Sequence, residues 1–152
     1  MTHQDYMRQA LALAQEAAAA GEVPVGCVIV DKDGQVIGRG RNRREEEKNP
    51  LAHAELDAIA DACRRYGDWR LKGARLYVTL EPCPMCAGGI ISARIPEIYY
   101  GAKDAGFGAC GSILNLFEED FRHHPKIVGH ILEAECAALL RDFFAQVREK
   151  EM

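Results

Sequence analysis

Two cysteines separated by two residues have the residue type and spacing of a reactive or metal-binding pair. Cys83 and Cys86 occur in "LYVTLEPCPMC", where a β-rich run gives way to a helical segment with proline in its first turn. Residues three apart lie on one face of a helix, so both sulfurs can reach one tetrahedral metal ion. The partial positive charge at a helix N-terminus favours the thiolate form that ligation requires. The spacing alone leaves open a redox pair, half of a structural zinc site, or two ligands of a catalytic metal.

A second motif, His53-Ala54-Glu55, lies thirty residues upstream and also begins a predicted helix directly after a loop. Three ligands from His53, Cys83 and Cys86 leave the fourth tetrahedral position for water, as in catalytic zinc sites. Glu55 would then lie beside that water and accept its proton without binding the metal. A catalytic metal site accounts for all these residues, whereas a redox pair accounts only for the cysteines.

The other cysteines do not complete a structural zinc site. Such a site needs a second closely spaced pair of ligands, and the remaining cysteines stand singly: Cys27, Cys63, Cys110 and Cys136. We expect Cys27 and Cys63 to be buried small apolar residues. No signal peptide is apparent, so the cysteines are expected to stay reduced, which favours metal binding or burial over disulfides.

The hydrophobic pattern predicts the elements that position these motifs. Asp33-Gly34 is a hairpin turn signal between the β-rich runs "VPVGCVIV" and "VIGRGRN". The other predicted elements are a helix over 4–20, a surface loop over 42–51, a helix over 53–66, a strand "ARLYVTL", a helix "PMCAGGIISARI", a strand "EIYYGA" and a closing helix over 133–149. A hairpin followed by alternating helices and strands indicates an α/β fold with three α/β/α layers and a central mixed β-sheet.

Two of the predicted helices carry apolar stripes. The stripe of the helix over 53–66 is Leu56, Ile59, Ala60 and Cys63. The stripe of the closing helix is Leu139, Leu140, Phe143, Phe144 and Val147. We expect Phe143 and Phe144 to lie in the core.

Length and composition indicate one domain over residues 1–152. The chain is 48% apolar, enough for one sizeable core. Its net charge of −4 argues against binding long nucleic acid by bulk charge, but it allows a local basic patch. No segment resembles a membrane span, and the N-terminal segment is too polar for a signal peptide, so a cytoplasmic protein is expected.

The combined motifs resemble the zinc-dependent cytidine deaminase superfamily, whose signature is H-x-E followed by P-C-x-x-C. Within it, the sequence is similar to bacterial tRNA-specific adenosine deaminases over nearly its whole length. The similar segments include "EVPVGCVIV", Asn42, "NPLAHAEL", "LYVTLEPCPMCAGGI", "YYGAKD", "GACGS" and "ECAALLRDFF". Gly106 and Phe107 depart from that pattern, since the family often has a basic residue in this loop.

The resemblance implies a cytidine deaminase-like fold and hydrolysis of adenosine to inosine at the wobble position of tRNA. It also implies a homodimer with one zinc ion per subunit that binds the anticodon loop of tRNA. The residues it implies for the site are His53, Cys83 and Cys86 as zinc ligands, Glu55 as the catalytic proton shuttle, and Asn42 and Ala54 as contacts to the substrate nucleoside. The alternatives are a deaminase of a free base or nucleoside, of guanine or cytidine type, and a non-catalytic zinc-stabilised binding module.

Basic residues near Asn42 are candidates for contacts with RNA phosphates. They are Arg39, Arg41, Arg43 and Arg44. Glu45, Glu46 and Glu47 follow directly, and a run of mixed charges is equally typical of a solvated face. Lys103, His123 and His124 are further candidates, and Phe107 is a candidate either for base stacking or for packing.

Overall fold

The alternation of β-rich and helical segments produces a mixed sheet with helices on both faces. The computed structural model describes residues 1–151 of the chain. In chain order the elements are α1 (His3–Ala19), β1 (Gly26–Val30), β2 (Val36–Arg41), α2 (Arg44–Glu47), α3 (Ala54–Tyr66), β3 (Arg75–Leu80), α4 (Pro84–Ala93), β4 (Glu97–Ala102), a 3-10 helix (Leu116–Glu118), β5 (Lys126–Val128) and α5 (Glu133–Glu151). The predicted three-layer α/β/α fold is confirmed.

The five strands lie in the order β2-β1-β3-β4-β5. Strand β1 is antiparallel to β2 and β3, whereas β3, β4 and β5 run parallel. The predicted hairpin is present, and Asp31 Oδ1 stabilises its turn by accepting hydrogen bonds from the N–H groups of Asp33 and Gln35, both at 2.9 Å. Helix α4 connects the parallel strands β3 and β4. The turn after β3 therefore lies at the carboxyl edge of the parallel strands, where α/β folds commonly bind ligands.

Alternate side chains of each strand enter two separate cores. Cys27 and Ile29 of β1 face the core formed with α3 and α4. Val28 and Val30 of the same strand face the core formed with α1 and α5, which also contains Tyr77 and the buried Cys136. This period-two alternation buries both faces of β1, an interior strand of the sheet, and it explains why β1 is apolar throughout.

Helix α3 packs closely on β2 because the strand carries glycine at two contact positions. A Cβ on Gly40 would lie 2.5 Å from the backbone nitrogen of Ala58, and one on Gly38 would lie 2.8 Å from the Cβ of Ala62. The alanines on the facing side of the helix are fully buried. Contact between small residues thus fixes the position of α3, and with it the position of His53 at its N-terminus.

The apolar stripe predicted for α3 is not the face that the helix buries. The buried residues of α3 are Ala54, Glu55, Ala58 and Ala62, whereas Ala60 is exposed and Leu56, Ile59 and Cys63 are half-buried. The prediction for Cys63 was therefore wrong, while Cys27 is fully buried as expected. The larger side chains lie at the side of the helix because the glycine-bearing strand leaves room only for alanine beneath it.

Three short elements were not predicted. The loop predicted over 42–51 contains α2, and the C-terminal third of the chain contains the 3-10 helix and β5. Each is three or four residues long, too short to show a periodic pattern. The prediction that Phe143 and Phe144 lie in the core was wrong, because Phe143 is only half-buried and belongs to neither core, and Phe144 is 43% exposed. No helix within residues 1–151 combines the length and apolar content needed to cross a membrane.

Candidate active site

His53 and Cys83 each precede the first residue of a helix. His53 is the N-cap of α3 and Cys83 is the N-cap of α4, and both have extended backbone dihedral angles. Neither side chain caps its own helix by a hydrogen bond. Cys86 lies in the first turn of α4 and is fully buried. The two helix N-termini therefore direct three donor atoms to one place.

The three donor atoms have the spacing of a zinc site. They all lie within 4.8 Å of one another, and His53 Nδ1 is 3.7 Å from Cys83 Sγ and 3.5 Å from Cys86 Sγ. With Zn–S of about 2.3 Å and Zn–N of about 2.0–2.1 Å, a tetrahedral ion places nitrogen and sulfur about 3.6 Å apart. The residues therefore fit zinc, with three protein ligands and one position left for water.

The site favours ionised sulfur at Cys83. A hydrogen bond from Cys86 and, to a smaller extent, the contact with His53 lower the pKa of Cys83 to about 4, although burial opposes the shift. The same pair raises the pKa of Cys86, because the proton is retained on the more buried sulfur. The hydrogen bond with Cys83 also raises the pKa of His53.

Glu55 lies beside the three donors in the first turn of α3. Its side chain is 4% exposed. Burial raises the pKa of Glu55 to about 7, and the negative charge of Cys83 contributes to the rise. The carboxyl group therefore lies next to the metal-binding group in a largely water-excluded position.

A cavity of about 640 Å³ opens over the metal-binding group. This volume is within the range of small-molecule binding sites. His53, Ala54, Glu55 and Cys83 line its floor. Two segments border it, which we call the first rim (residues 42–50, contributing Asn42, Arg44 and Pro50) and the second rim (residues 103–112, contributing Lys103, Asp104, Ala105 and Phe107).

Asn42 lines the cavity and is 8% exposed, and its amide has hydrogen-bonding groups available to a ligand. Its Nδ2 donates to the carbonyl oxygen of Val23 at 3.3 Å, and its Oδ1 accepts from the backbone N–H of Arg44 at 3.1 Å. An amide side chain offers two donors and two acceptor lone pairs. One N–H donor and one acceptor lone pair of Asn42 therefore remain for a ligand. The two contacts with the backbone hold the side chain in a fixed orientation.

The arginine cluster divides into residues at the cavity and residues engaged elsewhere. Arg44 lines the cavity, whereas Arg41 and Arg43 form ion pairs with Glu46 at 3.0 and 3.1 Å. Lys103 also lines the cavity.

The two candidate histidines are engaged with the backbone. His123 Nε2 lies 2.7 Å from the carbonyl oxygen of Ile95, and His124 Nδ1 lies 3.0 Å from that of Phe117. Of the basic candidates, Arg44 and Lys103 are thus the ones placed to meet a ligand in the cavity.

Several residues of the cavity were missed by reasoning from the sequence. They are Glu81, Asp104, Leu140 and Phe144. Phe107, which the sequence analysis named as a candidate for base stacking, also lines the cavity and is 70% exposed. Phe107 departs from the pattern of the resembled family, and this departure is the feature of the sequence that draws attention to it. Phe144 offered no such signal, because its spacing on α5 matches that of core residues.

Comparison with known proteins agrees with this geometry. The sequence model of the cytidine and deoxycytidylate deaminase zinc-binding region matches residues 1–102. The chain belongs to this zinc-binding deaminase family. Two observations therefore support the expected zinc cofactor: membership of a zinc-binding family, and a donor set of one histidine and two cysteines.

Within the family, the most similar proteins include tRNA deaminases. A tRNA-specific adenosine deaminase of Bacillus subtilis (strain 168) is 45% identical over 147 residues, which are 96% of this chain and 91% of that protein. A solved structure from work on A-to-I editing by tRNA deaminases at the wobble position has a TM-score of 0.85 and 45% identity, covering 90% of this chain and 99% of that one. A guanine deaminase structure from Bacillus subtilis has a TM-score of 0.65 and 40% identity, covering 71% and 72% of the two chains.

Proposed function

We propose that this chain hydrolyses adenosine to inosine at the wobble position of tRNA. The observation that carries the proposal is the position of Glu55, a buried carboxyl group next to the donor atoms of His53, Cys83 and Cys86 at the floor of an open cavity. A purely structural zinc site has no use for such a group. The similarity to tRNA-specific adenosine deaminases over nearly the whole length supports adenosine in tRNA as the substrate.

His53, Cys83 and Cys86 are the proposed zinc ligands. Zinc held by these residues would lower the pKa of a bound water towards about 7 and so supply a nucleophile at neutral pH. Glu55 accepts a proton from that water and delivers it to N1 of adenine, which makes C6 more electrophilic. The remaining hydroxide adds at C6, Glu55 then transfers the hydroxyl proton to the amino group, and the C6–N bond breaks to release ammonia. The net reaction consumes one water and releases one ammonia.

Asn42 and Ala54 are the proposed contacts to the nucleoside. Asn42 offers one free amide donor and one free acceptor to the polar edge of the ligand. Ala54 is fully buried in the floor of the cavity between the metal ligand and Glu55. Its small side chain lets a flat base approach the metal-binding group closely.

The rims of the cavity supply the proposed RNA contacts. Arg44 of the first rim and Lys103 of the second rim provide positive charge for phosphates. Phe107 and Phe144 are exposed aromatic side chains at the same opening, and unpaired bases of an anticodon loop stack on such groups. The overall acidic charge of the chain makes this a local, rather than a general, affinity for nucleic acid.

We also propose that the chain acts as a homodimer in the cytoplasm, where tRNA is modified. Leu51, Ile113 and Leu114 are 56%, 60% and 42% exposed, and a second subunit would cover such apolar side chains. Light scattering in solution tests this proposal. A monomer at micromolar concentration would contradict it.

The assay that tests the function compares RNA with free substrates. The purified protein is incubated with an anticodon stem-loop carrying adenosine at the wobble position, and in parallel with guanine, cytidine and adenosine. We expect inosine in the stem-loop and no ammonia release from the free compounds. Turnover of a free base without any RNA product would contradict the assignment.

The second candidate is deamination of guanine. It is favoured by the guanine deaminase structure that shares 40% identity with this chain. The match to the guanine deaminase structure covers about seven tenths of each chain, whereas the match to the tRNA deaminase structure covers nine tenths or more. The guanine arm of the same assay decides between the two candidates.

A further inference from the structure

Two buried glutamates bind the backbone of the two rims of the cavity. Glu22 is 1% exposed and Glu81 is 2% exposed. Burying a carboxylate is costly unless hydrogen bonds compensate for the lost water, so such a residue strongly favours the conformation that supplies its donors. In both cases these donors come from a segment far away in the sequence.

Glu22 holds the first rim. Its Oε1 accepts a hydrogen bond from the backbone N–H of Glu45 at 3.0 Å, and its Oε2 accepts one from that of Glu46 at 2.7 Å. These N–H groups belong to the first turn of α2, whose N-cap Arg43 provides no side-chain cap. Glu22 therefore supplies the acceptors that a helix start requires. It fixes the turn that presents Arg44 to the cavity.

Glu81 holds the second rim with four hydrogen bonds. Oε1 accepts from the backbone N–H of Asp104 at 3.1 Å and from the hydroxyl of Ser112 at 2.5 Å. Oε2 accepts from the backbone N–H groups of Cys110 and Ser112 at 2.9 and 3.2 Å. These hydrogen bonds reach both ends of the segment that carries Phe107, so one carboxylate holds the two ends of the loop together.

The second rim is shaped to receive that carboxylate. A Cβ on Gly108 would lie 2.5 Å from Glu81 Oε1, so the glycine allows the backbone to approach the side chain. Asp104 Oδ1 accepts hydrogen bonds from the N–H groups of Gly106 and Phe107 at 3.0 and 3.2 Å, which fixes the tip of the loop. Glu81 is also two residues before Cys83, so the loop is attached to the turn that carries a metal ligand.

We propose that Glu22 and Glu81 are positioning residues that hold the two rims in the arrangement that binds an RNA loop. The inference rests on the proposed function, since it names the part of the protein that recognises the RNA around the reacting base. Ordered rims lower the entropic cost of binding, because the phosphate and base contacts are in place before the ligand arrives. Neither carboxylate takes part in the chemical step.

The test replaces each carboxylate by its neutral isostere. In Glu22→Gln and Glu81→Gln one oxygen becomes an NH2 group that faces a backbone N–H donor, so hydrogen bonds are lost at unchanged size. The matched control is Glu16→Gln, at an exposed position of α1. We expect the KM for the stem-loop to rise by about tenfold or more in both variants, with kcat within about threefold of wild type and zinc content unchanged. The control should match wild type.

Amide hydrogen exchange provides a readout that does not depend on activity. Glu22→Gln should accelerate exchange at Glu45 and Glu46 only, and Glu81→Gln should accelerate exchange at Asp104, Cys110 and Ser112 only. Gly108→Ala, which leaves Glu81 intact but obstructs its approach, should reproduce the KM effect of Glu81→Gln.

The outcomes separate this inference from the proposed function. The inference is overturned if KM stays within twofold of wild type, if kcat falls while KM is unchanged, or if activity declines only with zinc content. It is also overturned if the exchange rates do not change at the named amides. If wild type and Glu16→Gln both fail to form inosine, the proposed function fails instead, and the exchange rates still decide whether the carboxylates hold the rims.

Discussion

His53 and Cys83 hold equivalent positions in two different helices, and their side chains meet. Each is the N-cap residue of its helix, each has an extended backbone, and His53 Nδ1 lies 3.7 Å from Cys83 Sγ. An extended N-cap directs its side chain past the helix end, where the partial positive charge of the first turn favours anionic ligands. The metal-binding group thus arises from the starts of two helices that pack side by side on one face of the sheet.

Loss of one thiol should remove the metal. In Cys83→Ala two protein donors remain, too few to retain zinc with useful affinity. We expect elemental analysis to give about one zinc per chain for wild type and close to none for the variant, with activity lost in parallel. Cys63→Ala is the matched control, since Cys63 lies on α3 outside the group. A full zinc content in Cys83→Ala would show that the ligand set is wrong.

Replacing Glu55 should separate catalysis from metal binding. Glu55→Gln keeps the shape of the side chain but cannot accept a proton, so the rate should fall by about two to four orders of magnitude. Zinc content should be unchanged, because Glu55 is not among the proposed ligands. Single-turnover inosine formation and elemental analysis of the same preparation measure both effects. A variant within tenfold of wild type, or one depleted of zinc, would contradict the assigned role.

The convergence of His53, Cys83 and Cys86, the proposed metal ligands, could be predicted from the sequence because the geometry that directs each side chain is local. The C-x-x-C spacing and the loop-to-helix transition before His53 both define a first turn, and two first turns can share one point in space. The hairpin around Gly34 was recognisable for the same reason, since its turn is stabilised within five residues.

The rims could not be predicted, because their stability depends on distant partners. The donors to Glu22 lie 23 and 24 residues away, and those to Glu81 lie 23 to 31 residues away. A glutamate that accepts backbone hydrogen bonds across such a separation leaves no local pattern. Phe144 was assigned to the core for a related reason: helical spacing cannot distinguish a core face from a face that borders an open cavity.

A methyl group on Gly40 should destabilise the fold. An alanine Cβ at this position would lie 2.5 Å from the backbone nitrogen of Ala58 and 2.9 Å from the Cβ of Asp57, so helix α3 would have to move away from β2. We expect Gly40→Ala to lose about 1–3 kcal/mol of unfolding free energy in urea titrations. In the control Gly106→Ala the new Cβ meets only Asp104 Oδ1 at 3.6 Å. Equal stability of the two variants would contradict close packing of α3 on β2.

Asp61 should contribute stability that disappears in acid. Its burial opposes ionisation, but hydrogen bonds from the backbone N–H of Arg39 at 3.0 Å and from Arg65 Nε at 3.2 Å keep its pKa below the usual value. A carboxylate with a lowered folded-state pKa stabilises the fold above its unfolded pKa of about 3.9, and this contribution is lost as the pH falls through the folded pKa.

Comparison with Asp61→Asn isolates this contribution. Wild type should be more stable than Asp61→Asn by about 1 kcal/mol at pH 7, and the difference should shrink as the pH falls below about 4. Urea titrations of both proteins from pH 7 to pH 3 measure the difference. A difference that is constant or grows towards acid pH would show that the carboxylate does not act in this way.

Phe107 should contribute to affinity for RNA and not to the chemical step. Its side chain is 70% exposed at the cavity opening, in a loop fixed by Asp104 and Glu81, so it is available to stack on an unpaired base. Stacking on an aromatic residue is worth about 1–3 kcal/mol per base, so Phe107→Ala should weaken stem-loop binding by about fivefold to a hundredfold with kcat little changed. Phe107→Tyr should bind like wild type, because it retains the aromatic ring. Tyr66→Ala should have no effect on binding, because Tyr66 is an exposed ring of α3 that does not line the cavity. Unchanged affinity in Phe107→Ala would mean that the ring meets no base, and equal losses in Phe107→Ala and Phe107→Tyr would mean that stacking is not the cause.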